Sequence, residues 1–300
     1  MGEPDEIVRS IVRTRSIRVV TVTSTGVARE AARRHGAGTA GAVAMARGLT
    51  AGLLLATLTK DDERVTLQVL GDGPLGGLTV DAASGGTARA YVKNPEISLP
   101  PRHGTERASL TAAIGKNGIV SVIRDVGLRE SFRGQTEIVS GEIDDDVERY
   151  LTDSEQIVSA LACDAVLASD GEIAWSGGVL LQALPGSDGA ELVTAARAQL
   201  ASGGFARLVA AGSPATAIEV ALEGEPVQEL DRRAITFHCP CSYERARASI
   251  ALLGPAELAA MIVDDGQAEV ICNFCRARYH FDDAALAILR REAGEPDMPS

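Results

Sequence analysis

The 300-residue chain sets 29 Lys and Arg against 41 Asp and Glu, a net charge of −12 with a pI near 4.9. That balance opposes a nucleic-acid partner, because phosphate binding draws on counterion release by clustered cations, and aromatics at 3% offer few base-stacking platforms. Apolar residues at 45% suit about two globular domains, while the longest uncharged run, 173–187, has 15 residues and falls short of the ~20 a membrane span needs.

The N-terminus, MGEPDEIVRS, is acidic where a secretory leader is basic, so the expectation is a cytoplasmic protein with no membrane partner. Residues 17–24 (IRVVTVTS) alternate as a strand, and 25–35 and 38–58 read as two helices rich in Ala and Leu. Short strands separated by turn residues follow: VTLQVL, GLTVDA, TARAYV, GIVSVIRDV and TEIVSGEI, the first two joined across GDGPLG as an antiparallel pair. A helix is expected over 144–153, its acidic first turn matched to the helix dipole. Two longer strands, IVSALACDAVLAS and IAWSGGVLLQALP, come next. The Ala-rich stretch 190–230, interrupted at Ser202-Gly203-Gly204 and Gly212-Ser213-Pro214, has helical spacing and reads as a helical linker. The fold class expected is α+β: an N-terminal core with an antiparallel sheet and packed helices (1–186), a helical linker (187–230) and a small C-terminal zinc-binding domain (231–300).

Four of the five cysteines fall in that last segment, as Cys239-Pro240-Cys241 and, thirty residues on, Cys272-Asn273-Phe274-Cys275. Two close pairs on separate turns can converge four thiolates on one tetrahedral Zn²⁺, one ion per chain. A helix over 242–252, a break at Gly254-Pro255, a second helix over 256–263 and a strand over 268–271 would connect them. So small a module depends on its metal to fold. A disulfide closed across the one-residue gap between Cys239 and Cys241 would be strained and easily reduced. Arg245, Arg247, Arg276 and Arg278 lie near the sulfurs in sequence. They either favour reactive thiolates or merely offset the charge of a static site, and spacing does not decide between these.

The cysteine arrangement near the end of an acidic chain of this length resembles the redox-regulated heat-shock chaperones known as the 33 kDa chaperonin family. So do Ala56-Thr57-Leu58-Thr59, Gln68-Val69-Leu70 leading into Gly71-Asp72-Gly73-Pro74, Ser154-Glu155-Gln156, and Gly177-Gly178-Val179-Leu180-Leu181-Gln182. The linker is more Ala-rich and less densely charged than the family pattern. The resemblance implies an ATP-independent holdase, not an enzyme, that is inactive while reduced and zinc-bound. It implies that oxidant pairs Cys239 with Cys241 and Cys272 with Cys275, releasing zinc and disordering first the zinc module and then the linker. Unfolding client proteins are the implied partners, with a homodimer as a candidate assembly of the oxidised form.

Other motifs read as structural. Gly71-Asp72-Gly73-Pro74-Leu75-Gly76 matches G-x-G-x-x-G but leads into another strand, where a dinucleotide site needs a helix. His238 and His280 flank a ligand set that four thiolates already complete, and Cys163 is expected to be a small buried hydrophobe. Asp144, Asp145 and Asp146 are expected as a charged helix start, and His35 and His103 accompany no nucleophile pattern. A thiol-disulfide oxidoreductase lacks its β-α setting around Cys-x-x-Cys. An RNA-binding zinc ribbon is opposed by eight Arg against eleven carboxylates over 231–300.

Overall fold

The computed structural model describes residues 4–60, 63–98, 108–125, 132–186 and 188–294. His103 lies outside them. The chain divides into two compact units, Met1–His238 and Cys239–Ser300.

The first unit begins with a hairpin, β1 (Glu6–Val12) and β2 (Ile17–Thr23), the first strand of which the sequence pattern did not signal. Helix α1 (Thr25–His35) starts where the Asp5 carboxylate accepts from the Gly26 and Val27 amides at 2.8 and 2.6 Å. It ends at Gly36, whose left-handed backbone suits a residue without Cβ. Helix α2 (Thr39–Ala56) is long and apolar enough to cross a membrane, yet 94% of that span is buried inside the fold. It packs on strands of both sheets. A Cβ at Gly48 or Gly52 would stand 2.6 Å from Leu78 or 2.7 Å from Val80, so these glycines let α2 lie directly on the sheet.

Strands β3 (Arg64–Gly71), β4 (Leu78–Ala83) and β5 (Thr87–Val92) follow, then the short helix α3 (Thr111–Ile114), β6 (Gly118–Asp125) and β7 (Phe132–Glu137). The GDGPLG loop is a hairpin connection. A Cβ at Gly71 or Gly73 would collide with the backbone of Ile114 or Ala113, at 2.1 and 2.4 Å, so the glycines allow close packing on α3.

The expected strand TEIVSGEI stops at Glu137. Asp146 accepts the amides of Val139, Ser140 and Gly141, which turns the chain into α4 (Ile143–Tyr150) and overrides the β-branched pattern. A π-helical turn, Leu151–Glu155, continues α4. Strands β8 (Ser159–Leu167) and β9 (Ile173–Ala183) match the two long strands expected.

The stretch expected as a linker lies within the first unit and forms α5 (Ala190–Leu200), α6 (Gly204–Ala210) and α7 (Pro214–Ala221), followed by β10 (Gln228–Ala234) and β11 (Thr236–Phe237). The compositional step near Asp231 therefore falls inside a strand. Sheet order among the described residues is β10-β1-β2-β9-β8 in one antiparallel sheet and β11-β5-β4-β3-β6-β7 in the other, where β11 joins β5 in parallel.

Alternation along the first sheet creates two cores. One face, with Val20, Val22 and Leu180, joins α1, α2 and the second sheet. The opposite face, with Val19, Ala162, Val179 and Leu181, is covered by Val193, Leu200, Phe205 and Ile218 of α5, α6 and α7.

The second unit contains α8 (Tyr243–Ala251), α9 (Gly254–Asp264), the hairpin β12 (Gln267–Ile271) and β13 (Arg278–Asp282), and α10 (Asp283–Gly294). Its core is small, built on Ile250, Leu258, Phe281, Leu286 and Leu289 with two alanines. Tyr243 stacks on Phe281 with ring centroids 4.7 Å apart.

Candidate metal centre

Cys239 and Cys241 lie in the extended segment before α8, where Ser242 begins the helix by accepting the Arg245 amide at 3.2 Å. Cys272 and Cys275 occupy the turn between β12 and β13. Its backbone closes on itself, with the Cys272 amide on Ala277 O and the Arg276 amide on Cys272 O, each at 2.9 Å. Arg276 takes a left-handed φ of 61° to complete the turn. Local geometry thus presents each pair, and the hairpin brings the pairs together.

All four Sγ atoms lie within 4.8 Å of one another. Cys239 and Cys272 approach to 3.6 Å, Cys241 and Cys275 to 3.2 Å. A tetrahedron with ~2.3 Å metal–sulfur bonds needs sulfurs about 3.8 Å apart, so a zinc-sized ion fits with small adjustments. All four cysteines are free thiols here. Three are half-buried and Cys275 is buried.

Burial pushes the Cys272 thiol up, against the pull of the Cys275 and Phe274 amides that face its sulfur. It pushes Cys275 up further, against the Ala277 amide. Sulfurs this close cannot all ionise unaided, whereas a divalent cation among them reverses that balance. The donor set and its backbone amides therefore suit a metal ion, with zinc the best match to four thiolates.

Arg247 pairs with Glu292, Arg278 with Glu269 at 2.7 Å, and Arg245 and Arg276 are exposed. The Tyr279 hydroxyl donates to Cys241 Sγ at 3.1 Å, and this contact pushes its own pKa up to about 12. Sequence reasoning missed it. The available signal was an aromatic residue four positions after Cys275, on the returning strand. His280 turns to Glu269, 3.1 Å away, and the His238 amide bonds Ala88 O in the first unit. Neither joins the sulfur cluster.

Cys163 is fully buried in β8, as a small hydrophobe would be. The acidic triplet forms the first turn of α4 as expected, and Asp144 and Asp146 are in addition buried. Asp144 pairs with Arg47, a guanidinium with no exposed surface that also bonds Glu142 at 2.6 Å. Burial opposes the Arg47 charge, but the two carboxylates more than offset it and raise its pKa.

Comparison with known proteins places these features in context. The family model described as Hsp33 protein matches residues 5–282. The 33 kDa chaperonin of Gloeobacter violaceus is 41% identical over 292 residues, covering 95% of both chains. That of Bacillus subtilis is 36% identical over 288 residues, covering 95% of this chain and 98% of its own. The crystal structure of the 33 kDa chaperonin from Thermotoga maritima superposes with a TM-score of 0.87 at 28% identity, covering 97% of this chain and 99% of that one.

Proposed function

The chain belongs to the Hsp33 family, and from that premise we propose that it is a cytoplasmic, ATP-independent holdase, without enzymatic activity, switched on by oxidation of its four clustered cysteines. The observation that carries the reading is the convergence of Cys239, Cys241, Cys272 and Cys275 in a unit whose own core is too small to hold it folded. Zinc bound there would supply folding free energy on the order of 10 kcal/mol, as in zinc-finger peptides.

Peroxide would oxidise the thiols in near-neighbour pairs, Cys239 with Cys241 and Cys272 with Cys275. Each new S–S bond uses one peroxide, whose O–O bond breaks to give two waters as two thiols surrender their protons and two electrons. Sulfurs held in disulfides no longer serve as ligands, and the second unit loses the tie between its hairpin and the segment before α8. That segment continues from β10 and β11, which follow the linker helices directly in sequence.

The linker helices cover an apolar sheet face that includes Ile17, Val19, Val179 and Leu181. Release of α5 to α7 would expose it to unfolding clients, and an exposed face of this kind also suits self-association of the oxidised form into a homodimer. The test compares suppression of a model protein's thermal aggregation, without ATP, by reduced protein and by protein treated with peroxide at mild heat. Protection only after oxidation, reversed by dithiothreitol and zinc, is the expected result. Equal protection by the reduced form would overturn the switch, and none by either form would overturn the holdase.

A further inference from the structure

The second sheet ends at β7, whose outer edge carries a charge order that complements itself. Strand β7 pairs antiparallel with β6, Gln135 opposite Ser121, and beyond its end the Ile138 amide donates to Gly118 O at 3.0 Å. That bond fixes the alternation: the backbone groups of Phe132, Gly134 and Thr136 point to β6, and those of Arg133, Gln135 and Glu137 point away from it. These three residues are exposed, and among the described residues their backbone N–H and C=O groups have no hydrogen-bond partner.

We propose that this edge docks a second copy of the chain, β7 against β7, antiparallel about a twofold axis at Gln135. A copy related in this way presents the strand reversed, so Gln135 meets the partner's Gln135, Arg133 falls opposite the partner's Glu137, and Glu137 opposite the partner's Arg133. Every one of these positions points outward, so each opposed pair can exchange two backbone hydrogen bonds. A shift of two residues either way sets Arg133 or Glu137 against Gln135 and loses both ion pairs, which selects this register. An unrelated strand has no reason to present that order of charges, whereas a second copy always does.

The side chains suit this arrangement. The β6 residues opposite them, Ile123, Ser121 and Ile119, alternate with the core residues Val120 and Val122, so Arg133, Gln135 and Glu137 share the sheet face turned away from the core. Arg133 donates from Nε to Ser121 Oγ at 3.1 Å, and neither Arg133 nor Glu137 has an ion-pair partner among the described residues. Phe132, 65% exposed, would lie opposite the partner's Ile138. Strand β7 has no proline and no bulge, two common protections of a free edge, and its two charges attract a reversed copy where like charges would repel it. The contact is one strand wide, so the dimer belongs to the weak, concentration-dependent class. It differs from self-association of the oxidised form in needing neither oxidant nor movement of α5 to α7, and it does not rest on the chaperone reading.

The experiment is sedimentation equilibrium of the reduced, zinc-loaded full chain from about 10 μM to about 1 mM, the range in which so small a contact associates. The average mass should climb from one chain towards two. Amide exchange should slow with concentration at Arg133, Gln135 and Glu137 and stay constant at Gly134 and Thr136, whose amides already bond β6. Arg133→Glu sets like charges opposite each other at both ends of the contact and should weaken the dimer about tenfold or more, and adding Glu137→Arg should restore it to within about threefold. Gln135→Pro removes an outward N–H that serves no bond in the monomer's ladder, so it should abolish association while the circular dichroism stays unchanged. A chain that remains monomeric throughout, a dimer that Arg133→Glu and Gln135→Pro leave intact, or a loss that the double charge reversal does not recover would each overturn the proposal. Should Gln135→Pro misfold, the charge reversal and its compensation decide. No client or oxidant enters the measurement, so its failure would leave the holdase reading standing.

Discussion

Phe205→Ala tests whether the linker is a docked, separable cover. Phe205 has no exposed surface and sits among Val193, Leu200 and Ile218 of the linker, with its ring against Trp175 of β9. Truncating a buried phenylalanine costs about 3–5 kcal/mol in lost burial and residual cavity, the loss of the aromatic contact included. Because Phe205 belongs to the second core and not the first, the cost falls on docking of α5 to α7. At about 1.4 kcal/mol per factor of ten, the docking equilibrium should move by roughly two to three and a half orders of magnitude. In reduced, zinc-loaded protein the variant should show red-shifted Trp175 emission, fast amide exchange in the linker helices and aggregation suppression without oxidant. The buried core of α2 should stay protected from exchange. A variant that still requires peroxide, with Trp175 emission and linker exchange unchanged, would show that these helices are not the element the switch moves.

Cys272→Ser should abolish stoichiometric zinc binding and the order of α8 to α10 while the first unit keeps its thermal transition, as read by elemental analysis and calorimetry. Tyr279→Phe removes the hydroxyl donor to Cys241 and should speed zinc loss to a chelator by about 10- to 100-fold, with the fold unchanged by circular dichroism. Arg47→Met leaves Asp144 and Glu142 without their buried cation and should cost about 3–5 kcal/mol in urea unfolding of the first unit. A loss under 1 kcal/mol would show that the carboxylates simply protonate.

Where the determinants are local, sequence alone determined the outcome. Each cysteine pair lies within one turn, so spacing reveals a ligand set before any fold is known. Helices α1 and α2, and the paired strands β3 with β4 and β8 with β9, announce themselves because alternation, helical spacing and turn residues act over a few positions. Tertiary structure decided whatever depends on partners far along the chain. The β-branched run after Glu137 turns instead of extending because Asp146 captures three amides. Asp144 reads as part of a charged helix start, and only the fold adds its pairing in the core with Arg47, 97 residues away. Strand β1 forms because β2 and β10 flank it. Tyr279 reaches Cys241 only once β13 folds back on β12. Asp164 becomes a buried acceptor for the Ala206 amide only when α6 closes over β8, since burial, unlike spacing, belongs to the assembled fold.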